Sequence, residues 1–444
     1  MRFINKTILL YFLLIIVAIA DLIVANFISG NQLLLPFLVI NFLFFLTVAF
    51  YDANLCLNIL IFVLPFKEII LPYEIGIVTF DAFTAGIIAL SFVYLIKLIF
   101  GAQFLKLTGT DIWIILFALF CLSFFVTSPH KIQSGHVYFH TVFIPFITYL
   151  LIRLLITDER KYRSLKLHFI SSVTIFAVFL ILNYLQTHAR VYTLNINPLK
   201  GATFLIIAFF LTINFRKIKL TPILILHLFA FFVCFSRNLL VNLILSPIYY
   251  FILRRGYARG LVAFIAAATF LVTLGFSTLI TYQDYSKVKS KITRHYTQKQ
   301  RAKFETYQRM VNPDHLKASA YGLAWMWKCE MENFYSHPVF GVGIGNKSTE
   351  AASSHNLHIQ LLSYTGLLGY ILFHLFLFSA FGYKKSEIEN YHLRGDYIFM
   401  CVTAVMIYLN GMTNGLFHGD FNYVFFIVLS LMQNLKSISG EAIT

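Results

Sequence analysis

The chain has 444 residues, of which 59% are hydrophobic and only 12% are charged, with a mean hydropathy of +0.76. A soluble domain carries about 25% charged residues, so a water-soluble globular fold is excluded and a polytopic membrane protein is implied. In that setting the net charge of +16 reads as Lys and Arg gathered in cytoplasmic loops and not as a nucleic-acid surface. Five scattered cysteines with no C-x-x-C pair point to neither a zinc site nor a disulfide framework.

Apolar runs long enough to cross a bilayer recur almost end to end. The first, Ile8–Phe27, is too long for a signal-peptide core and lacks an A-x-A site, so it reads as a retained first helix. Others follow near 33–50, 55–71, 78–100, 111–127, 136–156, 167–186, 199–215, 220–235, 238–253, 259–281, 356–382, 396–413 and 421–436. With Arg2 and Lys6 inside, the alternate connections carry most of the remaining positive charge. They hold Lys97 and Lys106, then Arg153 through Lys166, Arg216 to Lys219, Arg254 to Arg259, and Lys384, Lys385 and Arg394. Both termini are therefore expected in the cytoplasm. A re-entrant pair among the short runs 220–235 and 238–253 would lower the count. The expectation is an all-α polytopic membrane protein of about 12–14 transmembrane helices. One large outer loop divides it into 1–281, 282–355 and 356–444.

Two outer connections exceed a few residues: 187–198, THARVYTLNINP, and 282–355. A structureless loop of the second length is expected only where it has a function. Part of it should be helical, because Leu323, Trp327, Met331 and Phe334 recur at helical spacing and would make an amphipathic surface helix. The segment 287–303 holds seven Lys or Arg and no acid, on the side where positive charge is not expected. It reads as a solvated face or as a site for anionic phosphates, the second being favoured.

HPVFGVGIGNKS, 337–348, follows. Its Gly341, Gly343 and Gly345 do not read as a nucleotide loop, because no strand precedes them. Their expected job is positive φ and close backbone approach. Ser353 and Ser354 are placed to cap a helix starting near His355 or Asn356. His355 would then lie in the first turn of a transmembrane helix, where the macrodipole disfavours a protonated ring. A neutral imidazole there is suited to general-base work; the plainer alternative is an ordinary interfacial histidine.

Arg190 follows one apolar run and Arg237 lies between two. Ionisable groups at such places are functional candidates, and the guanidinium fork suits bidentate phosphate contact. The alternative for Arg237 is snorkelling to the interface. Asp21, Asp81 and Asp111 read as lone acids near span ends, and His418 and Asp420 as weaker additions to an outer-face site.

Three stretches resemble the O-antigen ligase and polymerase superfamily of bacterial envelope proteins. MENFYSHPVFGVGIGN with SSHNLHIQLLSYTGLLGYIL (331–372) resembles that family's h-P-h-x-G-x-G-x-G loop, S-H-N and T-G-h-h-G helix. ARVYTLNINPLKGATFL (189–205) resembles its outer-loop Arg and Asn-Pro, with an R-x10-G spacing from Arg190 to Gly201. FSRN (235–238) resembles its Ser-Arg at a helix end. One departure is plain: Leu323 stands where family members often carry Arg. Either Arg309 supplies that charge, or the alignment slips, or the role is absent.

The resemblance implies an inverting, metal-independent glycosyltransferase without cofactors, in the bacterial inner membrane, with its large loop and active site facing the periplasm. The donor would be a glycan on undecaprenyl diphosphate, and the acceptor a lipid A–core sugar for a ligase or a second lipid-linked unit for a polymerase. Residue by residue, it makes His355 the base. It makes Arg190, Arg237 and Arg309 diphosphate ligands, with Ser354, Asn356 and Gly343 in support. Membrane lipids are the remaining expected partners, and nucleic acid is not one. From another class, a lipid-linked glycan flippase or transporter would show broken helices or mid-bilayer charges in both halves.

Overall fold

The computed structural model describes residues 34–67, 73–75, 78–101, 106–128, 130–187, 198–214, 221–234, 237–279, 326–345, 356–382, 388, 391–414 and 421–440. The run Ile8–Phe27, residues 188–197, the basic segment 287–303, His418 and Asp420 lie outside that set.

The described chain is a helical bundle. Its first helices are α1 (Leu34–Tyr51), α2 (Ala53–Val63), α3 (Ala82–Ile99), α4 (Gly109–Thr127) and α5 (Lys131–Tyr138). A π turn, Phe139–Phe143, leads into α6 (Ile144–Leu155). Then come α7 (Glu159–Thr187), α8 (Pro198–Ile213), α9 (Thr221–Val233), α10 (Arg237–Arg254) and α11 (Ala258–Leu279). A helix over 326–336, α12, precedes α13 (Leu357–Ala380), α14 (Tyr391–Asn414) and α15 (Phe421–Gly440). Strands are confined, among the described residues, to an antiparallel hairpin pairing Tyr73 with Phe80 and Ile75 with Val78.

Among the described residues, five stretches are long and apolar enough, by length and composition, to cross a membrane: Ala82–Ile99, Gly109–Thr127, Lys131–Leu155, Glu159–Gln186 and Leu357–Ala380. Large apolar side chains stand exposed on the outside of the bundle, among them Ile99, Ile244, Phe264 and Leu271. A water-facing surface does not carry so many; this is the architecture of a helical membrane protein.

These helices are apolar on every side, so periodicity does not set their ends. Polar caps do. Asp52 accepts from Asn54 N at 2.8 Å and Asp81 from Thr84 N at 2.7 Å. Thr108 and Asp111 close a capping box.

Among the described residues, three buried ion pairs then bolt the bundle together. Arg153 on α6 meets Asp111 of α4 at 3.2 Å and reaches Asn434 of α15 at 2.6 Å. Lys166 on α7 meets Asp396 of α14 at 2.7 Å, and Asn214 joins the same carboxylate. Lys67 meets Asp81 at 3.2 Å, with its ammonium 3.9 Å from the Tyr423 ring centre. Asp81 and Asp111 are thus not lone acids. They are isolated along the sequence, and their partners come from other helices.

Candidate functional site

The long apolar run 356–382 is not one straight span. Gly366, inside α13, has φ +63° and ψ −166°, a conformation open essentially to glycine alone. The chain folds back there. His358 and His374 are each eight residues from Gly366, and a straight helix would hold them about 24 Å apart. Their rings instead stack with centres 5.6 Å apart. The expectation of a single crossing is corrected accordingly: arms of 357–365 and 367–380 are each shorter than the roughly 30 Å hydrocarbon core.

A helix broken in an apolar interior leaves backbone groups without partners. The glycine loop supplies them. Val342 N donates to Ser363 O at 2.8 Å and Gly343 N to Tyr364 O at 2.9 Å, ending the first arm. Leu367 N donates to Pro338 O at 2.9 Å and Leu368 N to Val339 O at 3.2 Å, starting the second. Contact is backbone to backbone: a Cβ on Gly341 would lie 2.5 Å from Tyr364 C, and one on Gly366 would lie 2.3 Å from Val339 O. Gly341, Gly343 and Gly345 all have positive φ. The geometric job expected of this loop is the one it performs.

The amphipathic helix expected near 321–335 begins, among the described residues, at 326. Trp327 and Met331 of α12 pack on Ile359 and Leu362 of the first arm, with Phe270, Phe334 and Tyr370 around them. Asn333 Nδ2 donates to Ser363 Oγ at 3.3 Å. Loop and helix therefore hold the first arm from two sides.

At the opposite end of that arm, Asn356 is the N-cap. Its Oδ1 accepts from His358 N at 2.9 Å and Ile359 N at 3.2 Å, and the residue is fully buried. This corrects the expected cap. Asn, as good a cap as Ser, starts the helix at Leu357, so His355 precedes the cap and the first-turn histidine is His358.

His358 belongs to a buried network that the sequence reading missed. Thr269 of α11 gives its hydroxyl proton to Ile265 O at 2.6 Å, so its oxygen accepts from His358 Nε2–H at 2.8 Å. That leaves His358 Nδ1 to accept from the Tyr370 hydroxyl at 2.9 Å. His374 donates Nδ1–H to Tyr370 O at 2.8 Å, and its Nε2 accepts from the Tyr408 hydroxyl of α14 at 2.9 Å. Both imidazoles are neutral in this scheme and all four ring nitrogens are engaged. The network is a brace across α11, both arms of α13 and α14, with no ring nitrogen left for a substrate.

Of the residues proposed from sequence, Asn356 and Gly343 are described. They stand at opposite ends of the first arm, about 12 Å apart along it. Arg237 opens α10, and only its backbone is described. Arg190, Arg309, Ser354 and His355 lie outside the described residues. The chain matches no family model and none of the curated proteins.

Proposed function

We propose that the protein is a membrane glycosyltransferase of the ligase type, moving a glycan from undecaprenyl diphosphate to a lipid A–core sugar at the periplasmic face of the inner membrane. One observation carries this reading. The two segments with the most specific family resemblance, 337–345 and 356–369, are joined by four backbone hydrogen bonds around Gly366. The motif spacing has a physical reason, because the glycine loop closes the T-G-h-h-G break.

In this reading His355, just ahead of the Asn356 cap, takes the proton from the acceptor hydroxyl as that oxygen attacks the anomeric carbon. Such help contributes about 10²–10⁴-fold. Arg190, Arg237 and Arg309 hold the diphosphate and offset the charge growing on the leaving group. The engaged nitrogens of His358 and His374 favour His355 as the base. The reading keeps the 282–355 loop outside.

Polymerase action on a second lipid-linked unit is supported by the Arg190–Gly201 spacing and by Leu323 in place of Arg. A transporter is favoured by one specific feature, the folded-back helix with buried ion pairs elsewhere in the bundle. His355→Ala in a strain lacking the chromosomal copy separates the three on a lipopolysaccharide gel. Loss of a ligase leaves bare core while lipid-linked polymer accumulates, and loss of a polymerase leaves core plus one repeat. An unchanged ladder at normal expression refutes the catalytic role and favours transport.

A further inference from the structure

The π turn and α5 set a second feature against the C-terminal half of α4. An open cleft of about 530 Å³ lies there, floored by Gly135 and walled by aromatic rings. Phe125 and Tyr138 stack with an interplanar angle of 8° and centres 6.4 Å apart. Phe143 lies 6.3 Å from Tyr138 and 5.8 Å from Phe139. Gly135 lets the Phe125 ring approach closely: a Cβ there would come within 2.8 Å of it. Turns of π geometry inside a helix are frequent at binding sites.

Lys131 and His136 belong to the cleft's lining, and His136 Nε2 is buried without a hydrogen-bond partner. A buried ring nitrogen left so costs about 1–3 kcal/mol. Lys131 stands at the short turn between two membrane-length stretches, Gly109–Thr127 and Lys131–Leu155, which puts it at headgroup height. No Asp or Glu occurs between Ile112 and Thr157, so no carboxylate of this segment competes for the ammonium.

We propose that this cleft is a binding site for one anionic phospholipid of the bilayer. A hydrocarbon chain lies along the Phe125–Tyr138–Phe143 wall, and the phosphate is held by Lys131 Nζ and, once the imidazole turns toward the cleft, by His136 Nε2. The apolar wall selects a lipid over free phosphate, and the cation selects an anionic headgroup over a zwitterionic one. The site is independent of the transferase reading. It also has a structural consequence. Ser134 and Gln133, on α5, are what Gly345 abuts: a Cβ on Gly345 would be 2.9 Å from Ser134 Cα and 3.2 Å from Gln133 O. The helix that bears the lipid site thus supports the end of the glycine loop.

The test is native mass spectrometry of the full chain released from nanodiscs of mixed phosphatidylglycerol and phosphatidylcholine. One phosphatidylglycerol is expected to stay bound in preference to phosphatidylcholine. Lys131→Ala with His136→Leu should weaken it at least about tenfold. Leu122→Trp, which fills the cleft and leaves both headgroup residues intact, should also abolish it; unchanged elution on size exclusion shows that each variant is folded. Equal retention of phosphatidylcholine, or undiminished phosphatidylglycerol in the double variant, overturns the site. Binding of an added isoprenoid phosphate but not of phosphatidylglycerol also overturns it, and makes the cleft a substrate groove.

Discussion

His358 and His374 are sixteen residues apart in the chain, yet their rings stack at 5.6 Å. Gly366, midway between them, makes this contact, and the Pro338–Gly343 segment makes Gly366 tolerable by bonding both broken ends. Gly366→Ala should therefore be costly twice over. The φ and ψ are unfavourable for any side chain, about 1–3 kcal/mol, and the new methyl would collide with Val339 O and Gly341 N. The expected outcome is a fall in thermal midpoint in detergent larger than for Gly260→Ala, where a Cβ meets nothing within 4 Å.

The His358–Tyr370–His374–Tyr408 brace predicts a graded response. Tyr408→Phe removes the donor to His374 Nε2 and leaves that nitrogen buried and unpaired. Hydrogen bonds between membrane helices average about 0.6 kcal/mol and reach about 1.7. Unfolding with a denaturing detergent should show a loss in that range for Tyr408→Phe. His374→Leu with Tyr408→Phe should cost less than the sum of the single changes. Strict additivity would mean that the two side chains are not coupled.

Much of the fold is legible in the sequence, because a bilayer leaves few options for a long apolar run. The runs 111–127 and 259–281 became α4 and α11 within a few residues. The glycine loop was legible as a device for close approach, since three glycines at alternate positions have few other uses. The fold-back was not. On a straight helix His358 and His374 fall about 160° apart, on opposite faces, so nothing marked them as a pair. The signal was present in Thr365-Gly366-Leu367-Leu368-Gly369, but a glycine inside an apolar run more often marks helix packing, as Gly86 does against Leu60 and Phe45. Asp111 and Arg153 were hidden for a similar reason: forty-two residues separate them, and each looked like a helix-end charge.

That ion pair yields its own prediction. Asp111 accepts from Arg153 Nε and Nη2 and from the Tyr149 hydroxyl, while Arg153 Nη1 reaches Asn434 and Ser437. Removing one partner strands the other charge, at a cost of about 3–5 kcal/mol. Arg153→Ala should thus lower the expressed, folded fraction more than Arg153→Met with Asp111→Asn, which removes both charges and keeps the volume. The measurement is the monodisperse fraction on fluorescence-detected size exclusion. A double variant that falls below the single one would show that the charge itself is required.

Cys329 gives the most direct test of which way the molecule faces. Among the five free cysteines it alone is not buried; Cys56, Cys121, Cys234 and Cys401 are. It lies on α12, the helix that packs along the first arm of α13. Burial, and after it the carboxylate of Glu332, push its thiol above the usual range. Thiolate is the attacking form, so labelling should be slow at neutral pH and accelerate as the medium becomes mildly alkaline. In intact spheroplasts a membrane-impermeant maleimide should modify Cys329, and Cys329→Ser should abolish the signal. If labelling instead requires broken cells, α12 faces the cytoplasm. The periplasmic site would then be on the wrong side for a donor displayed outside, and the transferase reading would fall with it.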